Sequence, residues 1–358
     1  MRYYKINIKH PKGENIMVSN SKTIVFTAPG IAEYIDTPTN TPADDNYVLV
    51  RHIVTTVSCG TERANLMKHP NVAGKYYVDM EHYFPRSLGY SGAGVVEAVG
   101  KNVKSVKVGD RVTTSWGIHT KYRWFHEHNV HKIPDDVSFE HAALCHIVTF
   151  PMAGVRKTNL EFGESAMTVG LGILGVISVM IMKLAGAYPV IGVDPNPARR
   201  EFAKKFGADF VLDPTEADFP EKVRKITDGR MVNAAVEVTG SGPALDRLLD
   251  VMAEYGRVSL LGCTRDSDFS IDYYKKIHAP GITLVGAHTN ARPKCESHEG
   301  WWTEHDDITA ALRLIDAGRL DFSGFVCETH SPSEAPQVYA RLAENRDFPV
   351  CVQFNWEE

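Results

Sequence analysis

Gly170-Leu171-Gly172-Ile173-Leu174-Gly175 is a G-x-G-x-x-G segment, and its glycines suit a chemistry that side chains would obstruct. The first permits a tight turn after a strand. The second lets the backbone approach a pyrophosphate, and the third lets the following helix pack closely on the strand. Backbone N–H groups at the start of that helix then face phosphate oxygens. The spacing is informative because Ala166 to Val169 reads as a buried strand and Ile173 to Leu184 as a helix. Asp194 lies nineteen residues beyond Gly175, at the end of the next apolar strand, Val190 to Val193. An acid there accepts hydrogen bonds from ribose hydroxyls and repels a 2′-phosphate, so the pattern favours NAD over NADP. The plainer alternative is that Asp194 caps the next helix. Arg199 either packs over the adenine or is a solvated helix charge.

The elements that must hold this segment follow from periodicity. From about residue 151 to 290, short apolar strands alternate with amphipathic helices, which implies an α/β fold with a doubly wound, parallel Rossmann sheet. Further strands are expected at Phe210 to Leu212, Ala234 to Val238, Val258 to Leu261 and Thr283 to Val285. Ligands bind at the carboxyl ends of such strands, so Thr149, Thr239, Gly262 and His288 are candidates for the nicotinamide side. Residues 1–150 read instead as strands and turns of a β-barrel-like domain, including one strand from Lys121 to Ile133. Residues 291–358 read as two helices, Asp306 to Ala317 and Ala335 to Leu342. A final strand, Phe348 to Phe354, is expected to return to the N-terminal barrel.

Composition narrows the partners. The net charge is −5 and no block of Lys and Arg occurs, which argues against nucleic acid. Six scattered cysteines form no C-x-x-C pair, as expected of reduced thiols in a cytoplasmic enzyme. Met1 to Gly13 is polar and broken by Pro11, so no signal peptide is read there. The longest apolar run, Val169 to Met182, is too short to span a bilayer.

Three further segments carry a resemblance. Cys59-Gly60-Thr61-Glu62, Leu88-Gly89-Tyr90-Ser91-Gly92-Ala93-Gly94 and Val108-Gly109-Asp110-Arg111-Val112 resemble, in order and spacing, the C-G-T-D, G-H-E-x-x-G and V-G-D-R-V motifs of the medium-chain dehydrogenase/reductase superfamily. The resemblance implies a GroES-like catalytic domain built from residues 1–150 and 291–358, with the Rossmann domain between them. It also implies hydride transfer in the cleft between the domains, and a homodimer or homotetramer.

The departures from that pattern bear on the chemistry. Zinc-dependent members hold catalytic zinc through the early Cys, the His of G-H-E and a later Cys or Glu. Here Tyr90 stands at the His position and Ser91 at the Glu position, while Cys59 remains and Cys145 falls near the later ligand. Two thiolates are short of the three protein ligands a catalytic zinc needs; His146 or His82 would have to supply the third. The run of four cysteines that forms the family's structural zinc lobe is absent. The expectation is therefore a zinc-free enzyme, in which a side chain accepts the proton that zinc would otherwise make labile. Glu62, Tyr90 and His146 are the catalytic candidates. The structural alternative is that Tyr90 fills the metal's space and Glu62 makes an ion pair. His126-Glu127-His128 reads as a strand with both histidines on one face and no metal role.

The loop from His288 to His305 holds Arg292, Trp301 and Trp302, which suit a sugar or polyol if they face substrate; alternatively the tryptophans seal a domain interface. The expected function is an NAD-dependent dehydrogenase acting on a hydroxyl of a sugar, sugar derivative or polyol. The alternatives are a zinc enzyme with rearranged ligands, an alkene or quinone reductase, and a non-catalytic NAD(H)-binding protein.

Overall fold

The computed structural model describes residues 19–69, 83–344 and 347–357. His82 and Met1 to Gly13 lie outside them. In chain order the described elements are β1 (Asn20–Ala28), β2 (Ile31–Pro38), β3 (Tyr47–Thr56), α1 (Cys59–Leu66), β4 (Ser91–Val99), β5 (Arg111–Ser115), β6 (Tyr122–His126) and β7 (Val130–Lys132). There follow α2 (Phe139–Ala142), α3 (Cys145–Lys157), β8 (Ala166–Val169), α4 (Ile173–Leu184), β9 (Val190–Val193), α5 (Pro197–Lys205), β10 (Phe210–Leu212) and α6 (Phe219–Ile226). The rest are β11 (Val232–Glu237), α7 (Gly242–Leu249), β12 (Met252–Leu260), β13 (Thr283–Gly286), α8 (Glu304–Asp316), β14 (Glu328–His330), α9 (Ala335–Glu344) and β15 (Val352–Asn355).

These elements form two compact units. The described part of the first comprises 19–58, 83–146, 322–344 and 347–357. Its main sheet has the order β14-β15-β3-β4-β5-β7, with β6 also paired to β3. Apart from the parallel β14–β15 pair, neighbours run antiparallel, and β15 pairs with β3 at Gln353↔Thr56. Val48, Val50, Val96, Val112, Phe125 and Val130 fill one buried cluster. Burying each such side chain stabilises by about 1.5–3 kcal/mol. The segment 121–133 is not one strand: β6 stops at His126, and Glu127–Asn129 form a 3-10 turn in which His126 Nδ1 accepts from the His128 N–H (3.3 Å). The local bond between side chain and backbone offers the chain an alternative to the ladder, so the two histidines do not share a strand face.

The described part of the second unit comprises 59–69 and 147–321. Its six-stranded sheet has the order β10-β9-β8-β11-β12-β13, and every pair is parallel. All four residues of β8 and of β9 are buried, as strands covered on both faces should be. Met167, Val169, Ile191, Val193, Ala235 and Val258 lie in its core. The sequence places a boundary near 290, yet residues 291–321 belong to this unit. Asp307 on α8 explains it: the carboxylate is fully buried and pairs with Arg156 (2.8 Å) and Arg292 (3.7 Å). Pro151 does not end an element either, since it lies inside α3.

Candidate active site

The parallel sheet reverses its order between β8 and β11, and ligands of such sheets bind at the carboxyl side of that switch point. β8 is followed there by Gly170, whose φ of +94° suits glycine. A Cβ on Gly175 would stand 1.8 Å from the Gly170 carbonyl oxygen, so the helix can approach the turn only with glycine at that point. At Gly172 an added Cβ would meet nothing within 4 Å. Gly172 is the N-cap of α4, and no side chain caps the helix. Its first amides, Ile173 and Leu174 among them, are the donors that a helix start leaves without an intrahelical partner, the kind that binds phosphate oxygens.

Asp194 follows β9 and is 4% exposed. Its carboxylate accepts from the N–H groups of Leu171 (2.8 Å) and Asn196 (2.8 Å), which tie it to the glycine turn. The cap of α5 is Asn196, whose Oδ1 accepts from Ala198 and Arg199 N–H groups. Arg199 Nη1 lies 3.9 Å from the Asp194 carboxylate. Arg200, which the sequence reading passed over, donates to the Asp194 and Pro195 carbonyls and pairs with Asp213 (3.0 Å).

Across the switch point, the loops after β11 and β12 pack edge to edge. A Cβ on Gly262 would lie 2.3 Å from Gly240 N, and one on Gly170 would lie 2.7 Å from the Thr239 methyl. Glu237, also missed from sequence, organises this rim. It is buried, and its carboxylate accepts from the Thr239 hydroxyl, the Thr239 N–H (2.7 Å) and the Gly240 N–H (3.0 Å). Burial pushes its pKa up, against the pull of those donors. An acid closing a buried strand before Thr-Gly was the available signal.

Thr149 is buried on α3, and its carbonyl accepts from Arg292 (3.4 Å). His288 Nδ1 accepts from the Asn290 N–H (3.1 Å). Trp301 lies over the Lys157 ammonium (4.3 Å) and Trp302 over the Arg156 guanidinium (4.2 Å). Arg292, Trp301 and Trp302 thus all make contacts that anchor their loop within the second unit.

In the first unit, three strand ends converge. Thr56 pairs with Ser91 and Ser91 with Ser115. Ser58, Tyr90 and Trp116, just beyond those pairs, therefore come together. The Tyr90 hydroxyl is hydrogen-bonded to that of Ser58. His146, fully buried at the start of α3, meets the rings of Tyr90 (5.4 Å) and Trp116 (4.8 Å) edge to face. Trp116 has a φ of +59° and is 41% exposed. A non-glycine residue held in that region is strained, and such strain clusters at functional sites. Sequence reasoning missed it, although a Trp-Gly directly after a strand was a signal.

The remaining candidates lie as follows. Ser91 Oγ donates to the Ala143 carbonyl (2.6 Å). Cys145 is fully buried, and burial pushes its thiol pKa up. Glu62 is buried in the first turn of α1, and Cys59 is partly exposed at its start; both belong to the second unit. Among the described residues, no group of three or more His, Cys, Asp or Glu is placed to hold a metal ion.

Solved structures share this architecture. One, a short chain alcohol dehydrogenase from Escherichia coli CFT073 complexed with NADH, matches with a TM-score of 0.78 and 18% identity over 94% of this chain and all of that one; NADP is bound in another. Residues 44–135 match the alcohol dehydrogenase GroES-like domain and residues 174–301 the zinc-binding dehydrogenase domain. L-threonine 3-dehydrogenase of Pyrococcus abyssi is 30% identical over 274 residues, covering 68% of this chain and 74% of that one. The chain belongs to the medium-chain dehydrogenase/reductase superfamily. A second relative, D-arabitol-phosphate dehydrogenase of Enterococcus avium, is 25% identical over 306 residues, covering 76% of this chain and 83% of that one. As a member of this dehydrogenase/reductase superfamily, the chain is an oxidoreductase.

Proposed function

We propose that this superfamily member is an NAD(H)-dependent dehydrogenase that oxidises a CH–OH group of a sugar, sugar derivative or polyol without catalytic zinc. The observation that carries the reading is Asp194, a buried carboxylate tied by its backbone bonds to the uncapped glycine turn. The turn has the space and donors for a pyrophosphate, and Asp194 has acceptors for the adenosine ribose, so the residues fit the dinucleotide. A dinucleotide held there would supply the hydride acceptor for the substrate carbon. Glu237 holds the Thr239–Gly240 turn along the rim that receives that ring. The relative that acts on a polyol phosphate supports the substrate class.

The donors present do not fit a catalytic zinc. Tyr90 and Ser91 stand where the superfamily's His and Glu would be, both are hydrogen-bonded within the first unit, and the Cys145 thiol is buried in surroundings that favour its neutral form. The substrate's hydroxyl proton goes instead to Tyr90 Oη in its phenolate form, which becomes the phenol, with the Ser58 hydroxyl donating to that oxygen and the His146 and Trp116 rings fixing its position. Glu62 serves the second unit as a buried helix-start carboxylate.

NAD⁺ reduction across a panel of sugars, sugar acids and polyols, with and without a strong chelator, tests the reading. Turnover that survives chelation in metal-free protein is expected. Turnover lost to chelation and restored by zinc would overturn the zinc-free part.

A further inference from the structure

Lys157, the last residue of α3, closes the loop that follows β13. Its ammonium donates to the carbonyls of Gly286 (3.1 Å) and Ala291 (2.6 Å), which bracket His288, Thr289 and Asn290. The Trp301 ring lies 4.3 Å from the same nitrogen. β13 ends at Gly286, so the bracketed residues start at a strand's carboxyl end, where ligands of parallel sheets bind. The bracket holds local bonds from the Asn290 N–H to His288 Nδ1 and from the Ala291 N–H to the His288 carbonyl, and the Ala287 N–H donates to the Leu260 carbonyl at the end of β12 (3.0 Å). An ammonium on a flexible stem, with three donors, can join two carbonyls five residues apart. Beyond the bracket, Arg292 is buried and bonded to Thr149 and Asp307. These contacts hold the loop's far side, and the Lys157 ammonium holds the bracket.

We propose that Lys157 is a positioning residue for the dinucleotide: its ammonium fixes residues 287–291 in the conformation that receives the nicotinamide end. This rests on the dinucleotide reading above. Burial and the nearby Arg292 push the Lys157 pKa down to about 8, with Asp307 opposing. The charges that act on it are Arg292 in the loop and Asp307 on α8, Arg156 and Glu304 act in turn on Arg292, and the imidazole of His288 lies inside the bracket. Guanidinium and carboxylate groups ordinarily hold their charge between about pH 7 and 9.5 and imidazoles ordinarily titrate near about 6.5, so a change centred near pH 8 is assigned to Lys157, and Lys157→Arg tests that assignment.

The test is NADH affinity, read by fluorescence titration from pH 6.5 to 9.5, for the wild type, Lys157→Met and Lys157→Arg. Lys157→Met is expected to weaken binding about tenfold at neutral pH, and the wild type to lose affinity above about pH 8. Lys157→Arg should keep neutral-pH affinity within about threefold and lack the alkaline fall, because a guanidinium stays charged there. Binding by Lys157→Met that equals the wild type, or the same alkaline fall in Lys157→Arg, would overturn the proposal. Hydrogen exchange at residues 287–291 reads the bracket without any cofactor, and faster exchange in Lys157→Met is expected. If the wild type bound neither NADH nor NADPH, the dinucleotide reading itself would fail. Unchanged exchange would remove the bracket whatever the cofactor.

Discussion

Replacing Asp194 with Ser should exchange the preference for NAD(H) over NADP(H). The carboxylate is tied to Leu171 and Asn196, so it is already aimed, and losing its charge-assisted bond to a ribose hydroxyl costs about 1.5–3 kcal/mol. The same substitution removes a repulsion. Arg199 Nη1 sits 3.9 Å from the carboxylate, and at that separation one pair of unit charges interacts by roughly 4 kcal/mol at an effective dielectric constant of about 20. Arg199 is partly exposed, so solvent reduces this to about half. A 2′-phosphate would then lose an anion at similar range and keep the cation. Together the terms shift the NADH-to-NADPH affinity ratio by about 4 kcal/mol, on the order of a thousandfold. Fluorescence titration with each reduced dinucleotide measures the ratio without a known substrate. A wild type that binds NADPH as tightly as NADH would refute the reasoning, as would a ratio unmoved by Asp194→Ser.

Tyr90→Phe should lower kcat/KM about 10²–10⁴-fold while leaving NADH affinity unchanged; undiminished turnover would remove Tyr90 from the chemistry. Gly175→Ala places a Cβ 1.8 Å from the Gly170 carbonyl oxygen, so NADH binding should fall and stability drop by about 1–3 kcal/mol, checked by titration and denaturant melts. His52 is fully buried, bonded to the Thr120 carbonyl and the Thr114 hydroxyl, and burial pushes its pKa down to about 4. Between that value and the ordinary 6.5 the unfolded chain binds the extra proton, so stability should fall as pH drops through this window, by about 3 kcal/mol in all. Denaturant midpoints for wild type and His52→Gln would decide it, because identical slopes against pH exclude His52.

The Rossmann half was legible because local signals agree there. α4 spans Ile173–Leu184 and β9 spans Val190–Val193, the bounds that periodicity gives. α3 was not legible, since Pro151 in its interior mimics a boundary and its missing N–H costs the helix one bond that packing must offset. Long-range pairs escaped for another reason. The clamp of Arg156, Arg292 and Asp307 joins residues some 150 positions apart, and no pattern within a window reports it. Tyr90 was found through a motif, whereas Trp116 needed the strand register to bring it alongside.

The strand order of the first unit has a kinetic consequence. β15 lies between β14 and β3, and Gln353 bonds to Thr56 across a separation of 297 residues. Closing so long a loop requires an entropy loss before the pairing rewards it, which slows folding. On the ribosome the second unit's strands all emerge before β15 does. Its sheet can therefore assemble first, while Val54 to Thr56 of β3, beyond the stretch that β6 covers, wait unpaired on that edge. That waiting edge is where a nascent chain would be captured by a chaperone or by another copy of itself.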